Sequence, residues 1–374
     1  MIYHQFGDLS LSSLGLGCMR LPLIDGDSNH IDEEKSAEMV AYAMKNGVNY
    51  YDTAWGYHGG NSEIVMGKIL KNYDRQSFYL ASKFPGYDLS NHGKVAEIFE
   101  KQLEKCQVEY FDFYLIHSVT EANIEYYLDP KYGTLAYVLE QKKNGRIRHL
   151  GFSFHGDAGV LSRFLAVYGD YMEFGQLQLN WLDWSFQDAK TYVAMLRERN
   201  IPIWVMEPVR GGKLALLESE QEQALRALRP DASNVEWAFR FLQTVPGVTV
   251  TLSGMSNMEQ LAENIRIFSE EKPLSDAEWN TLMRFAEEKR GSKTLACTSC
   301  RYCTEYCPQG LNIPYLISLY NEIVYSGGTI ITRRGIAALD DSTRPAACIG
   351  CGACAEVCPQ GIKIPEMMKE CADW

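Results

Sequence analysis

A chain of 374 residues is longer than one hydrophobic core normally serves, so a large barrel with an appendage, or two domains, is expected. A formal net charge of -12 disfavours nucleic acid as a partner, because phosphate binding needs a surplus of lysine and arginine. No segment reaches the roughly 18 apolar residues that span a bilayer, and the start MIYHQFGDLSLSSLGLG lacks a basic stretch followed by an apolar run, so a cytoplasmic chain without a membrane span is expected.

The first element predicted is a hairpin from Ile2 to Ser10 with Gly7 and Asp8 in its turn. From Leu9 to about Met255, short apolar runs then alternate with longer amphipathic stretches, the rhythm of βα units around a parallel sheet. Eight runs can be read: SLGLGC ending at Cys18, VNYYD at Asp52, FYLASK at Lys83, FDFYLIH at His117, IRHLGFS at Ser153, FGQLQLN at Asn180, IPIWVME at Glu207 and VTVTLSG at Gly254. Between the first two lies EEKSAEMVAYAMKNG, with Ala37, Val40, Ala41 and Met44 at helical spacing before Gly47. Eight such units close into a (β/α)8 TIM barrel, whose far end the hairpin could plug. The C-terminal ends of barrel strands bear the chemistry, so Asp52, Lys83, His117, Ser153, Asn180 and Glu207 are expected around one mouth.

The segment EKRGSKTLA, Glu288 to Ala296, reads as a linker between domains at 1–287 and 288–374. Beyond it stand two runs of the form C-x2-C-x2-C-x3-C-P: Cys297, Cys300, Cys303, Cys307 and Cys348, Cys351, Cys354, Cys358. Eight thiolates so spaced are what two [4Fe-4S] clusters require, the fourth cysteine of each run usually ligating the other cluster. The expected sets are Cys297, Cys300, Cys303 with Cys358, and Cys348, Cys351, Cys354 with Cys307. Structural zinc prefers two separated C-x2-C pairs, and disulfides suit a small secreted chain; neither uses the third cysteine or the repeated ending. Of 11 cysteines only Cys18, Cys106 and Cys371 lie outside the runs, as in a reduced, intracellular protein. IPYLISLYNEIVYSG and IPEMMKECADW read as helices around the cluster loops, giving a small, mostly helical, ferredoxin-like iron-sulfur domain with two repeated halves.

On NYYDTAWGYHGGNSE from Asn49 to Glu63, ASK at 81 to 83, FYLIH at 113 to 117, GFS at 151 to 153 and SGMSNMEQLAEN from Ser253 to Asn264, the chain resembles the aldo-keto reductase family, in the branch with a C-terminal ferredoxin-type domain. The barrel resemblance covers about residues 1 to 285. It implies that Asp52, Tyr57, Lys83 and His117 are catalytic. The residue types support that reading independently. A carbonyl accepting hydride develops negative charge on oxygen and needs a proton donor in a preorganised field. Tyr57 can give the proton, a lysine ammonium at Lys83 is expected to lower its pKa, Asp52 can hold Lys83 charged, and His117 can steer the carbonyl. Read singly, Asp52 could cap a turn, Lys83 snorkel at the rim, His117 pack there, and Tyr57 line a substrate wall.

For a nucleotide phosphate, SGMSN offers a nest with Gly254, Ser256 and Asn257 before a helix, and EPVRGGKL offers Gly211 for close approach, with Arg210 as a clamp beside Glu207. The resemblance further implies that Glu263 and Asn264 face the adenine and that Ser153, His155 and Gln176 orient the carboxamide. Two positions depart from the family: Met206 stands where many members stack an aromatic ring, and Ser256, Asn257, Met258 and Glu259 include no cation for a 2'-phosphate. NADP(H) in preference to NAD(H) is thus a family expectation, and flavin in the same mouth stays open as a converter between hydride and single electrons. Trp55, Tyr87, His155 and Trp181 or Trp184 are candidates for the substrate wall, and VTEANIEYYLDP after His117 for a lid.

The function expected is NAD(P)H-dependent reduction of an aldehyde, ketone or conjugated carbonyl, with two clusters for electron transfer to a redox protein partner. The alternatives are an electron-transfer module docking a flavoprotein or another redox enzyme, a flavin-dependent reductase with the clusters as relay, and clusters that act only as a structural staple.

Overall fold

The computed structural model describes residues 1–295, 297, 302–358 and 360–374. They separate into two compact units, 1–184 with 188–282 and 185–187 with 283–374. The first unit opens with the hairpin β1 (Tyr3–Phe6) and β2 (Leu9–Ser12), an antiparallel pair turning at Gly7 and Asp8. Eight strands follow: β3 (Leu14–Gly17), β4 (Tyr50–Asp52), β5 (Tyr79–Phe84), β6 (Phe111–Val119), β7 (Ile147–Phe154), β8 (Phe174–Gln178), β9 (Ile203–Met206) and β10 (Val248–Ser253). All pair in parallel and in chain order, and β10 returns to β3 to close the barrel. The eight expected runs are these eight strands. Strands buried on both faces read as continuous apolar runs, which makes a parallel barrel legible.

Strand alternation carries the core into the mouth. Tyr50, Ala81, Phe113, Leu115, Phe174, Trp204, Val250 and Leu252 form one buried cluster together with Phe6 and Leu11 of the hairpin. Phe6 is the plug, its ring lying 5.1 Å from Trp204 and 5.7 Å from Phe113. Side chains two apart on a strand share a face. Asp52 therefore follows Tyr50, Lys83 follows Ala81, His117 follows Leu115 and Gln176 follows Phe174 on the inward face, one layer nearer the C-terminal rim. Gly151 of β7 makes room for this stack, since a methyl group there would meet the Phe174 ring at 2.4 Å.

The helix Glu33–Lys45 starts at Asp32, whose side chain accepts from the Lys35 amide. Its buried face is Ser36, Met39, Val40 and Ala43, one residue away from the expected stripe. Met39 brings more apolar surface inward than Ala37 or Ala41, and Ser36 is satisfied by donating to the Asp32 carbonyl. The expected linker, Glu288 to Ala296, is helical as far as Lys293, at the end of the helix Asp276–Lys293, and Ala296 lies outside the described residues. Glu287, Glu288, Lys289 and Arg290 are good helix formers that outweigh the single Gly291. Leu295 then exchanges two hydrogen bonds with the Asn321 side chain.

The described part of the second unit is helical, with Tyr302–Glu305, Ile313–Ser326, Ile330–Ala337, Ala353–Glu356 and Ile364–Glu370. Its halves repeat. CPQGLNIP at 307–314 and CPQGIKIP at 358–365 share a sequence pattern, and Gly310 and Gly361 take nearly equal positive φ of 65° and 63°. In each half a proline enters the first turn of the following helix, where its missing N–H costs nothing. Leu311, Ile313, Leu316, Ile362, Ile364 and Met368 are buried together in a small core. Gly151→Ala is expected to lower barrel stability by about 1–3 kcal/mol through overpacking against Phe174, read as a shift of the urea unfolding midpoint.

Candidate active site

At the C-terminal ends of β4 and β5 the Lys83 ammonium lies 2.5 Å from Asp52 Oδ1 and 2.8 Å from the Thr53 carbonyl oxygen. Lys83 has 0% of its side chain exposed. Its third neighbour is the Tyr57 hydroxyl at 3.4 Å. His117, at the end of β6, presents its ring edge-on to Tyr57 at 6.2 Å and to Tyr87 at 5.1 Å. The four residues thus converge on one point of the rim.

The electrostatics differ from the sequence-based expectation in one respect. Burial alone would lower the Lys83 pKa, but the Asp52 charge and Tyr57 outweigh it and hold the ammonium protonated. Burial raises Asp52 from the ordinary carboxylate range, while Lys83 pulls it back. Tyr57 was expected to be lowered by Lys83. Instead burial pushes it up to about 12, against the pull of the ammonium and with a further push from Asp52. The Lys83 attraction exceeds the Asp52 repulsion, and burial outweighs both.

The loop carrying Tyr57 is held by contacts that sequence reasoning missed. His58 has positive φ, accepts from the Leu21 amide at 3.2 Å through Nε2 and meets the Ser28 carbonyl at 2.8 Å through Nδ1. Burial lowers its pKa, favouring the neutral ring that this pair of bonds needs. Beneath Lys83, the buried Glu63 accepts from Ser82 at 2.6 Å, Gln102 at 2.7 Å and Lys105 at 2.8 Å. Gln102 also donates to the Lys83 carbonyl and accepts from Tyr114. Lys105 lies over the face of Trp55 at 4.4 Å. Glu63 lies within the motif that carried the family resemblance, but only the fold shows its partners.

Around the rest of the mouth, Ser153 Oγ accepts from the Ser118 amide at 2.7 Å. Gln176 donates to Met206 Sδ at 3.5 Å, and its Oε1 is buried without a hydrogen-bond partner among the described residues. After β9, Glu207, Arg210, Gly211 and Gly212 all have positive φ, a tight turn in which the two glycines are unstrained. Burial raises the Glu207 carboxyl, opposed chiefly by Arg20. Arg210, expected to clamp a phosphate, is only 4% exposed and directs Nε at both Asp183 oxygens, 3.0 and 3.1 Å away. After β10, Asn257 caps the helix Met258–Ile267 by accepting from Gln260, and Ser256 Oγ donates to the Arg20 carbonyl. Asn264 is buried and donates to Ser253 Oγ at 3.0 Å, while Glu263 is half-buried.

The expected substrate wall is only partly assembled. Tyr87 meets the His117 ring edge-on and Trp55 lies under Lys105, whereas Trp184 packs edge-on against Phe241 and Trp279. The segment expected as a lid is tied down: Tyr127 donates to the His117 carbonyl at 2.8 Å, Asn123 to the Ser118 carbonyl at 2.8 Å, and Tyr168 to the Tyr127 carbonyl.

In the second unit Cys307, Cys348, Cys351 and Cys354 line a single cavity with Ile313 and Ile364. This is one of the two sets expected from spacing. Burial raises the Cys354 thiol, followed by the nearby Cys348 and Cys351, with Cys307 a lesser neighbour. The Gly350 amide donates to Cys348 Sγ at 3.4 Å. Four soft sulfur donors in an apolar shell suit iron-sulfur chemistry. Of the other set, Cys297, Cys303 and Cys358 pack in the same small core, and Cys300 lies outside the described residues. None of the described cysteines is joined in a disulfide.

A closed eight-stranded barrel with a lysine–carboxylate–tyrosine–histidine rim, and a cysteine-rich helical unit, define a redox enzyme of two parts. The chain belongs to the aldo/keto reductase family, whose model matches residues 13–287, and a 4Fe-4S dicluster domain matches residues 296–362. It is an oxidoreductase of the aldo-keto reductase type. It is similar to the uncharacterized oxidoreductase YqkF of Bacillus subtilis (strain 168), 26% identical over 292 residues covering 69% of this chain and 88% of that protein. It is also similar to the NADH-specific methylglyoxal reductase of Escherichia coli (strain K12), 24% identical over 230 residues covering 55% of this chain and 66% of that one. Among solved structures, the holo form of aldo-keto reductase AKR11C1 from Bacillus halodurans superposes with a TM-score of 0.62 at 26% identity, covering 76% of this chain and 96% of that one.

Lys83→Met strips a buried carboxylate of its partner and is expected to cost about 3–5 kcal/mol, whereas the double change Asp52→Asn with Lys83→Met recovers most of that loss. Urea unfolding of the two variants, compared with the unmodified protein, measures both effects.

Proposed function

We propose that the barrel reduces an aldehyde, ketone or conjugated carbonyl, using NADPH in preference to NADH, and that two [4Fe-4S] clusters in the C-terminal unit transfer electrons. The convergence of Lys83, Asp52, Tyr57 and His117 carries this reading. Tyr57 gives its proton to the carbonyl oxygen as negative charge develops there. A phenol at about 12 is fully protonated at neutral pH, and the alkoxide formed is the stronger base, so the proton runs toward the product. Lys83 stabilises the phenolate left behind, and Asp52 keeps Lys83 charged and oriented. His117 hydrogen-bonds the carbonyl oxygen and sets its approach. When bound, the nicotinamide supplies the hydride. The buried Gln176 Oε1 offers an acceptor for its carboxamide, with Ser153 beside it in the barrel register. Gly211 and Gly254 permit close backbone approach, with Glu207, Arg210, Ser256 and Asn257 shaping the two loops and Glu263 and Asn264 the adenine end. The Escherichia coli relative is NADH-specific, so both nucleotides belong in any titration.

The clusters are assigned to Cys297, Cys300, Cys303 with Cys358, and to Cys348, Cys351, Cys354 with Cys307. Bound there, they supply one-electron chemistry, and electrons exchanged with a hydride donor pass through a flavin-type converter or an external redox partner. The placement of Cys303 and Cys354 in the small core favours a second role, in which the clusters also hold that unit together.

The deciding experiment is an anaerobic titration of the iron-loaded protein with NADPH and NADH, following carbonyl turnover and the paramagnetic resonance of the clusters. No nucleotide binding and no turnover, with clusters reduced only by an added carrier, would make the chain an electron-transfer module. Tyr57→Phe is expected to lower kcat/KM for carbonyl reduction by roughly 10²–10⁴-fold. With the raised pKa of Tyr57, reduction by the unmodified enzyme should be insensitive to this group at neutral pH and decline only as pH climbs toward about 12; a pH–rate series shows whether it does. Anaerobic removal of iron by a chelator is expected to melt helix in the C-terminal unit while nucleotide binding by the barrel persists, as read by circular dichroism and ligand fluorescence.

A further inference from the structure

The segment after β10 offers no cation to a nucleotide phosphate, only Ser256, Asn257, Met258 and Glu259. The structure brings one from another direction. Arg20 lies in the loop after β3, the strand paired with β10, and its side chain is exposed. Its aliphatic stem rests on Gly254: a methyl group on that glycine would meet Arg20 Cβ and Cγ at 3.1 Å and Cδ at 3.2 Å. Its far end reaches the turn after β9, where Nη2 would lie 3.4 Å from a methyl group on Gly211. One side chain therefore crosses between the two glycine-bearing loops of the mouth. The backbone beneath it is fixed on both sides, since the Arg20 carbonyl accepts from Ser256 Oγ at 2.9 Å and the Leu21 amide donates to His58 at 3.2 Å.

We infer that Arg20 is the cationic strap for the diphosphate of the dinucleotide, an inference that rests on the reading of this mouth as a dinucleotide site. A guanidinium offers paired donors that match phosphate oxygens two at a time, on a side chain that stays charged at any working pH. Its position selects which phosphate. The guanidinium ends near Gly211, between the loops, whereas the helix start at Ser256 to Glu259 lies at the root of the side chain. A strap so placed meets the diphosphate common to NADPH and NADH and is indifferent to the 2'-phosphate. Glu207, whose Oε2 lies 3.7 Å from the same methyl position on Gly211, is the local counter-charge.

The test is calorimetric titration of the full-length, iron-loaded protein and its R20Q and R20K variants with NADPH, NADH and ADP-ribose, each at low and high salt. R20Q should weaken all three by a common factor of roughly 10- to 100-fold, the worth of a charged hydrogen-bonded contact. R20K should recover part of the loss, and the salt dependence of binding should shrink in R20Q. Unchanged affinities in R20Q overturn the inference, as does a loss confined to NADPH, which would put Arg20 on the 2'-phosphate. If the unmodified protein binds none of the three ligands, the dinucleotide reading itself falls and the strap with it. Because Arg20 is exposed, R20Q should keep the unmodified unfolding midpoint, and a matching midpoint assigns any loss of binding to the contact.

Discussion

The buried Lys83–Asp52 pair is the interaction on which the rest of the barrel mouth depends. Each charge taken from water costs several kcal/mol, and the pair is tolerated only because its partners are placed to within tenths of an ångström. Asp52 at 2.5 Å and the Thr53 carbonyl at 2.8 Å come from one strand end, and Lys83 from the next. That placement requires β4 and β5 to stop in register and to turn these side chains inward. The aromatic layer below, from Phe6 to Trp204, sets that register from inside, and the Glu63–Gln102–Lys105 network sets it from outside by gripping the Lys83 carbonyl and the Trp55 loop.

The same pairing acts on Tyr57. The ammonium at 3.4 Å draws the phenol down and Asp52 offsets part of that pull, but burial is the largest influence and wins. The outcome suits an acid better than a base. In the proposed reaction a protonated Tyr57 gives its proton to an alkoxide, and Lys83, 3.4 Å away, steadies the phenolate once the proton has gone.

The second unit solves a different problem with the same economy of placement. Its described core is small, a handful of leucine, isoleucine and methionine side chains around repeated cysteine loops. Two copies of one pattern, each with a left-handed glycine and a proline-led helix, bring Cys307 of the first half to the cavity lined by Cys348, Cys351 and Cys354 of the second. In the proposed ligation the fourth cysteine of each run crosses to the other half, so bound iron would join the two halves.

The sequence alone determined the eight strands, their order and the hairpin plug, because strands buried on both faces leave uninterrupted apolar runs and polar residues mark where they end. It also determined the iron-sulfur character of the tail, since eight cysteines at fixed intervals fit little other chemistry. Only the tertiary structure decided where charges and rings meet. It turned Arg210 onto Asp183, sent Trp184 to pack with Phe241 and Trp279, carried a helix through to Lys293 and brought Arg20 from the first βα loop across to Gly254 and Gly211. It also decided that burial outweighs Lys83 at Tyr57. Periodicity and spacing are properties of neighbours along the chain, whereas desolvation and ion pairing depend on neighbours in space, which chain closure into a barrel assembles from segments far apart.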